Sequence, residues 1–121
     1  MSNNEGDCEI MKHVKEDIIL PYKIKKADSF FLRLRGLMFR NHPLKDEGLW
    51  ISPCNSIHMC FMNFPIDVVF LNKENQVVKL VSDLKPWKFI TPVSGAHSVL
   101  ELPIGSIDNL NLEVGQFIKY N

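Results

Sequence analysis

Prolines divide this chain into pieces too short for anything but small strands and turns. Pro43, Pro53, Pro65, Pro86, Pro92 and Pro103 recur at turn-like intervals, with short β-branched and aromatic runs between them. Proline fixes φ and donates no backbone hydrogen bond, so neither a central strand nor a long helix runs easily through these positions. The runs predict strands at about 48–52, 56–62, 66–71, 76–82, 87–90, 97–102 and 115–120. Asn72-Lys73-Glu74-Asn75 reads as a four-residue hairpin loop joining two of them. Upstream, Ile18 to Ile24 reads as a first strand that Pro21 either breaks or confines to an edge.

Two helical segments are expected beside the strands. Asp28 or Ser29 offers a cap, and Phe30, Phe31, Leu34, Leu37 and Met38 follow at three- and four-residue spacings. Gly36 suits the left-handed end of a short amphipathic helix over roughly 29–37. Gly105 to Leu112 has room for one further turn before the last strand. Together these elements predict a mainly β (α+β) fold: a small rolled or barrel-like, mostly antiparallel sheet with one short helix in the first third. Residues 1–14 lack apolar periodicity and are expected to form a disordered tail, leaving residues 15–121 as a single globular domain.

Charge and composition exclude several function classes. Lys and Arg total 14 and Asp and Glu total 14, so no global field draws in nucleic acid or a membrane surface. The distribution is uneven, with nine basic and three acidic residues over 12–45 against five basic and eight acidic over 46–121. Such a split favours pairing between the chain's own halves, and neither nucleic acid nor membrane is expected as a partner. The polar, acidic start does not resemble an export signal, and no apolar run approaches the roughly twenty residues of a membrane span. Three cysteines without close pairing argue against a disulfide framework, so the sequence reads as cytoplasmic.

Two carboxylates stand where buried strands are expected. Asp67 lies in Ile66-Asp67-Val68-Val69-Phe70-Leu71, and Glu101 in Val99-Leu100-Glu101-Leu102. A carboxylate taken from water without a partner costs several kcal/mol, so each requires either a partner or a chemical role. One reading pairs them with Arg35 and Arg40, locking the first helix onto the sheet through charge-assisted hydrogen bonds. The other makes them a general acid and base.

Further along the chain the residues match a known pattern. Arg35-Gly36-Leu37-Met38-Phe39-Arg40, Asp46-Glu47-Gly48, Phe61-Met62 and Pro65-Ile66-Asp67-Val68-Val69-Phe70-Leu71 occur in that order. Pro86-Trp87, Val99-Leu100-Glu101-Leu102-Pro103 with Gly105, and a late Gly115 complete the set. This resembles the bacterial and archaeal family called domain of unknown function 192, over about residues 18–120. The resemblance implies a small, mostly β single domain and leaves activity open, since the family has no established reaction. Many of its members carry Phe-Trp-Met-Lys-Asn where this chain has Cys60-Phe61-Met62-Asn63.

The remaining chemistry-bearing residues form weaker sets. Cys54, His58 and Cys60, with His42 as a fourth, have partial metal-ligand spacing but no second compact pair, so no metal or other cofactor is expected. Ser56, Ser94 and Ser98 lie near histidines but in no nucleophile-elbow pattern. Trp50, Trp87, Phe61, Phe64 and Phe89 either fill the core or line a cleft for a flat ligand. Trp87 is the best exception to core filling, because Pro86 and Lys88 place it near a loop. The expected function is therefore non-enzymatic binding of a small ligand or partner protein through loops at one end of the fold. Its candidate residues are Arg35, Arg40, His58, Asp67, Trp87 and Glu101, and the alternative is a hydrolase using Asp67 and Glu101.

Overall fold

The computed structural model describes residues 17–27, 40–59 and 62–119. The tail over 1–14, the helix over 29–37 with Arg35, and Cys60 and Phe61 lie outside the described residues. Pro21 does break the first strand, giving β1 (Asp17–Ile19) and β2 (Lys23–Ala27). The order then runs β3 (Glu47–Ile51), β4 (Ile57–His58), β5 (Ile66–Leu71), β6 (Val77–Leu84), β7 (Phe89–Ile90), β8 (Ser98–Leu102), α1 (Ser106–Asn109) and β9 (Phe117–Lys119). The hairpin between β5 and β6 turns on Asn72, whose Oδ1 accepts from the Glu74 and Gln76 amides at 2.9 Å each. Asn75 completes that turn at φ 63°, a left-handed conformation that asparagine tolerates.

Five strands form one sheet in the order β2-β3-β8-β5-β6, and its two ends stay apart rather than closing into a barrel. The β3–β8, β8–β5 and β5–β6 pairs are antiparallel, while β2 runs parallel to β3. Two small pairs cover the sheet: parallel β1–β9 and antiparallel β4–β7. Central strands covered on both faces need near-continuous apolar sequence, and every residue of β5 and β8 is buried. Edge strand β2 instead exposes Lys23, Lys25 and Lys26, which discourages pairing with another chain.

Alternation along the strands divides the core into two layers. Val68, Phe70 and Val99 pack on one face against Ile57, Met59 and Phe64. Val69, Leu71, Leu100 and Leu102 pack on the other against Ile107 and Ile118. Each fully buried aliphatic or aromatic side chain contributes about 1.5–3 kcal/mol of transfer free energy. Gly48 lets the layers and strands close up. A Cβ there would meet Leu102 Cδ2 at 2.8 Å, Ile24 Cδ1 at 2.9 Å and the Glu101 carbonyl at 3.2 Å. Gly48→Ala is therefore expected to destabilise the domain by about 1–3 kcal/mol through overpacking. A urea midpoint unchanged from wild type would show that β2, β3 and β8 can part freely.

Candidate functional site

The two buried carboxylates do not meet. In the β5–β8 register Asp67 lies opposite Leu102 and Val68 opposite Glu101, so adjacent positions send the two acids to opposite faces. They cannot form the paired acid and base of a hydrolase site.

Asp67 is 1% exposed, and among the described residues its partners are backbone amides. Oδ1 accepts from the Asp83 N–H at 2.9 Å, and Oδ2 from the Ile107 N–H at 2.8 Å. Between the Ile66–Leu84 and Val68–Val81 pairs, β6 carries one more residue than β5, a β-bulge with Asp83 at φ 53°. The bulge removes one amide from the ladder, and Asp67 supplies the missing acceptor. Its second oxygen holds the first turn of α1, which begins after the left-handed Gly105 at φ 88°.

Glu101 shares the face of Val99, opposite Leu49 and Val68, over the layer that contains Met59. It is 4% exposed, and among the described residues its carboxyl makes neither a hydrogen bond nor an ion pair. Burial pushes its pKa up to about 8, so the group holds its proton at neutral pH.

Arg40 meets a different acid from the two expected, while Arg35 lies outside the described residues. Arg40 pairs with Glu47 at the start of β3 and donates from Nε to the His42 carbonyl at 2.9 Å. The Arg40 carbonyl in turn accepts from Asn63 Nδ2 at 2.8 Å. The acid it meets is a half-buried neighbour seven residues on, which needs far less desolvation than either strand carboxylate. His58 pairs through its backbone with Phe89 across β4–β7. Cys54 Sγ donates to the Ser56 carbonyl at 2.9 Å, and among the described residues no three His, Cys, Asp or Glu side chains converge on a metal position. Ser98, 1% exposed, is sealed in the sheet and inaccessible as a nucleophile.

The aromatic residues separate into two groups. Phe64 is core and Trp50 is half-buried with Lys26 Nζ 4.8 Å from its ring centroid. Trp87 and Phe89 instead stand 61% and 69% exposed. Trp87 lies in a turn closed by the Lys88 amide donating to the Lys85 carbonyl at 3.3 Å. Pro86 occupies its first central position, and Trp87, at φ 69°, its second. That pattern is a type II turn, whose second central position normally takes glycine. A bulky residue there carries about 1–3 kcal/mol of strain and persists only where its surroundings hold it. Here the Trp87 amide donates to the Met59 carbonyl at 2.8 Å, and the Met59 amide donates to the Lys88 carbonyl at 2.7 Å. Met59 is fully buried, so the turn is fastened to the core while Trp87 and Phe89 stay largely exposed. The sequence placed Trp87 at a loop, whereas for Phe89 it left core filling and cleft lining both open.

Comparison with known proteins places the fold among relatives. The DUF192 family model, described as "Uncharacterized ACR", matches residues 11–120. A UPF0127 protein of Thermococcus sibiricus is 42% identical over 106 residues, covering 81% of this chain and 66% of its own length. A UPF0127 protein of Pyrococcus furiosus is 38% identical over 104 residues, covering 82% of this chain and 87% of its own. The chain thus spans just under two thirds of the Thermococcus sibiricus relative. The crystal structure of a protein of unknown function from Novosphingobium aromaticivorans aligns with a TM-score of 0.68. At 23% identity over 78% of this chain and 71% of that one, it is similar in fold.

Proposed function

This chain belongs to the uncharacterised DUF192 family, and from that premise we propose that it is a non-enzymatic binding module whose contact surface is the turn bearing Trp87 and Phe89. The observation that carries this reading is a tryptophan held at a glycine position, 61% exposed, on a turn tied to a buried methionine. Such a side chain stands on a rigid support. It offers a partner a large contact area already ordered before binding. The separation of Asp67 and Glu101 onto opposite faces favours this reading over hydrolysis.

Trp50→Phe leaves Trp87 as the single tryptophan, whose emission reports directly on the turn. Screened against an acidic peptide, a neutral oligosaccharide, an oligonucleotide and phosphatidylserine vesicles, at least one is expected to shift that emission to the blue. Trp87→Gly, in the otherwise wild-type chain, is expected to abolish that binding in a direct assay while leaving the melting temperature equal or higher, because glycine adopts positive φ freely. No shift across the panel, or binding that survives Trp87→Gly, would overturn the reading.

A further inference from the structure

We infer that the outer edge of β7 takes an extended, acidic segment of a partner protein, which adds to the β4–β7 pair as a third strand. This inference rests on the binding-module reading above and names the partner. Its basis is where the backbone groups of Phe89 point. His58 lies opposite Phe89, and the Met59 amide donates to the Lys88 carbonyl at 2.7 Å. In an antiparallel ladder that makes His58–Phe89 the pair without mutual hydrogen bonds, so the Phe89 N–H and C=O point away from β4. Among the described residues neither group has a partner, and neither do the amide and carbonyl of Thr91, two residues on. The β4–β7 pair forms a two-stranded sheet of its own, and among the described residues no third strand joins it. Phe89 is 69% exposed and Thr91 is exposed as well, so the edge is open to an incoming chain.

Donors and acceptors repeated at every second residue are what another extended backbone supplies, and such strand addition is a recurring mode of peptide recognition. Charge then selects the partner. Residues 52–66 and 85–97, which hold β4, β7 and their flanks, contain no Asp or Glu. Lys88 is exposed, and among the described residues no carboxylate pairs with it, whereas Lys85 is already held by Asp83 at 2.6 Å. A second copy offering the same edge would bring one Lys88 toward the other, and like charges across a strand pair are destabilising. A strand carrying Asp or Glu meets attraction there instead. Opposite Phe89 it can also place a β-branched residue, a cross-strand pairing that adds to sheet stability. Pro86 and Pro92 bound the edge, so the added strand is short.

The test uses the full chain at low salt and a short labelled peptide in which Glu or Asp alternates with Val. Its controls are the same peptide with Lys for every acid, and two forms N-methylated at one or the other set of alternate residues. The acidic peptide is expected to bind and the Lys form to fail. Amide exchange at Phe89 and Thr91 should slow in the complex, and N-methylation of the set facing the edge should abolish binding while the other set is tolerated. Lys88→Glu should weaken binding at least about fivefold, the upper range for one exposed charge pair, and added salt should weaken the wild-type complex. Equal affinity for the Lys peptide, equal binding of both N-methylated forms, or a complex in which the Phe89 and Thr91 amides exchange as freely as before would overturn the inference. A stable dimer in sedimentation, with the Phe89 amide protected, would give the edge to a second copy and overturn it too. If the peptide fails while another probe binds through Trp87, the inference falls and the binding-module reading stands. If the peptide protects both amides but binds Trp87→Gly as tightly as wild type, the edge is the site and the reading centred on Trp87 falls.

Discussion

Glu101→Gln is expected to make the domain more stable at alkaline pH and to leave its stability in acid nearly unchanged. The acid of the unfolded chain titrates near 4.5, whereas in the fold burial raises it to about 8. Between those values the folded state holds a proton that the unfolded state has released. Stability of the wild type therefore falls as pH rises through this window, and the Glu101 contribution is level below and above it. The full fall is about 5 kcal/mol from the two pKa values, at roughly 1.4 kcal/mol per unit, and most of it has appeared by pH 7. Glutamine keeps the shape and stays neutral, so the variant lacks this slope, while its buried amide resembles the protonated acid in acid solution. Urea midpoints of both proteins across the window check the prediction. Parallel pH profiles would show that the carboxyl is compensated inside the fold.

The strands were legible because their chemistry is local. Proline spacing bounded them, Pro21 marked the break between β1 and β2, and the mostly apolar character of β5 and β8 pointed to strands covered on both faces. The burial of Asp67 and Glu101 followed from the same runs. What each acid touches did not, because that depends on register. Sliding β5 by a single residue against β8 would exchange the faces of both neighbouring side chains. The bulge at Asp83, which creates the need for Asp67, arises from a residue count between two strands and leaves no composition signal. Arg40 illustrates the same limit. Its charge announced an ion pair, but only the fold brings Glu47 to it ahead of the strand carboxylates. Sheet order was equally out of reach, since β2 joins β3 in parallel through a connection longer than any hairpin. Trp87 was half legible. Proline before it implied a turn, yet the left-handed conformation on a non-glycine residue is imposed by the Met59 hydrogen bonds rather than by the tryptophan itself.

Asp67→Ala is expected to be among the most damaging single substitutions in the chain, lowering stability by about 3–5 kcal/mol. The carboxylate ties the start of α1 to β5 and to the bulge of β6, where the β5–β6 ladder is interrupted. Alanine leaves the Asp83 and Ile107 amides without acceptors, and the Ile107 amide is in the interior. The buried Ile107 donor loses about 1–3 kcal/mol, the part-buried Asp83 donor loses less, and the smaller side chain also leaves a cavity. Asp67→Asn should fall between, at about 1–3 kcal/mol, because the new carbonyl serves one amide while the new N–H₂ group confronts the other. The order wild type, Asp67→Asn, Asp67→Ala in chemical denaturation is thus the expected result. Hydrogen exchange separates this role from a general effect of losing charge. The Asp83 and Ile107 amides should lose protection first in Asp67→Asn, ahead of amides in the β3–β8 ladder. Tyr22 still holds α1 from the other side through its hydroxyl, 3.0 Å from Ser106 Oγ, so the turn should loosen before it detaches. An Asp67→Asn midpoint at or above that of wild type, with both amides still protected, would return this carboxylate to the list of functional residues.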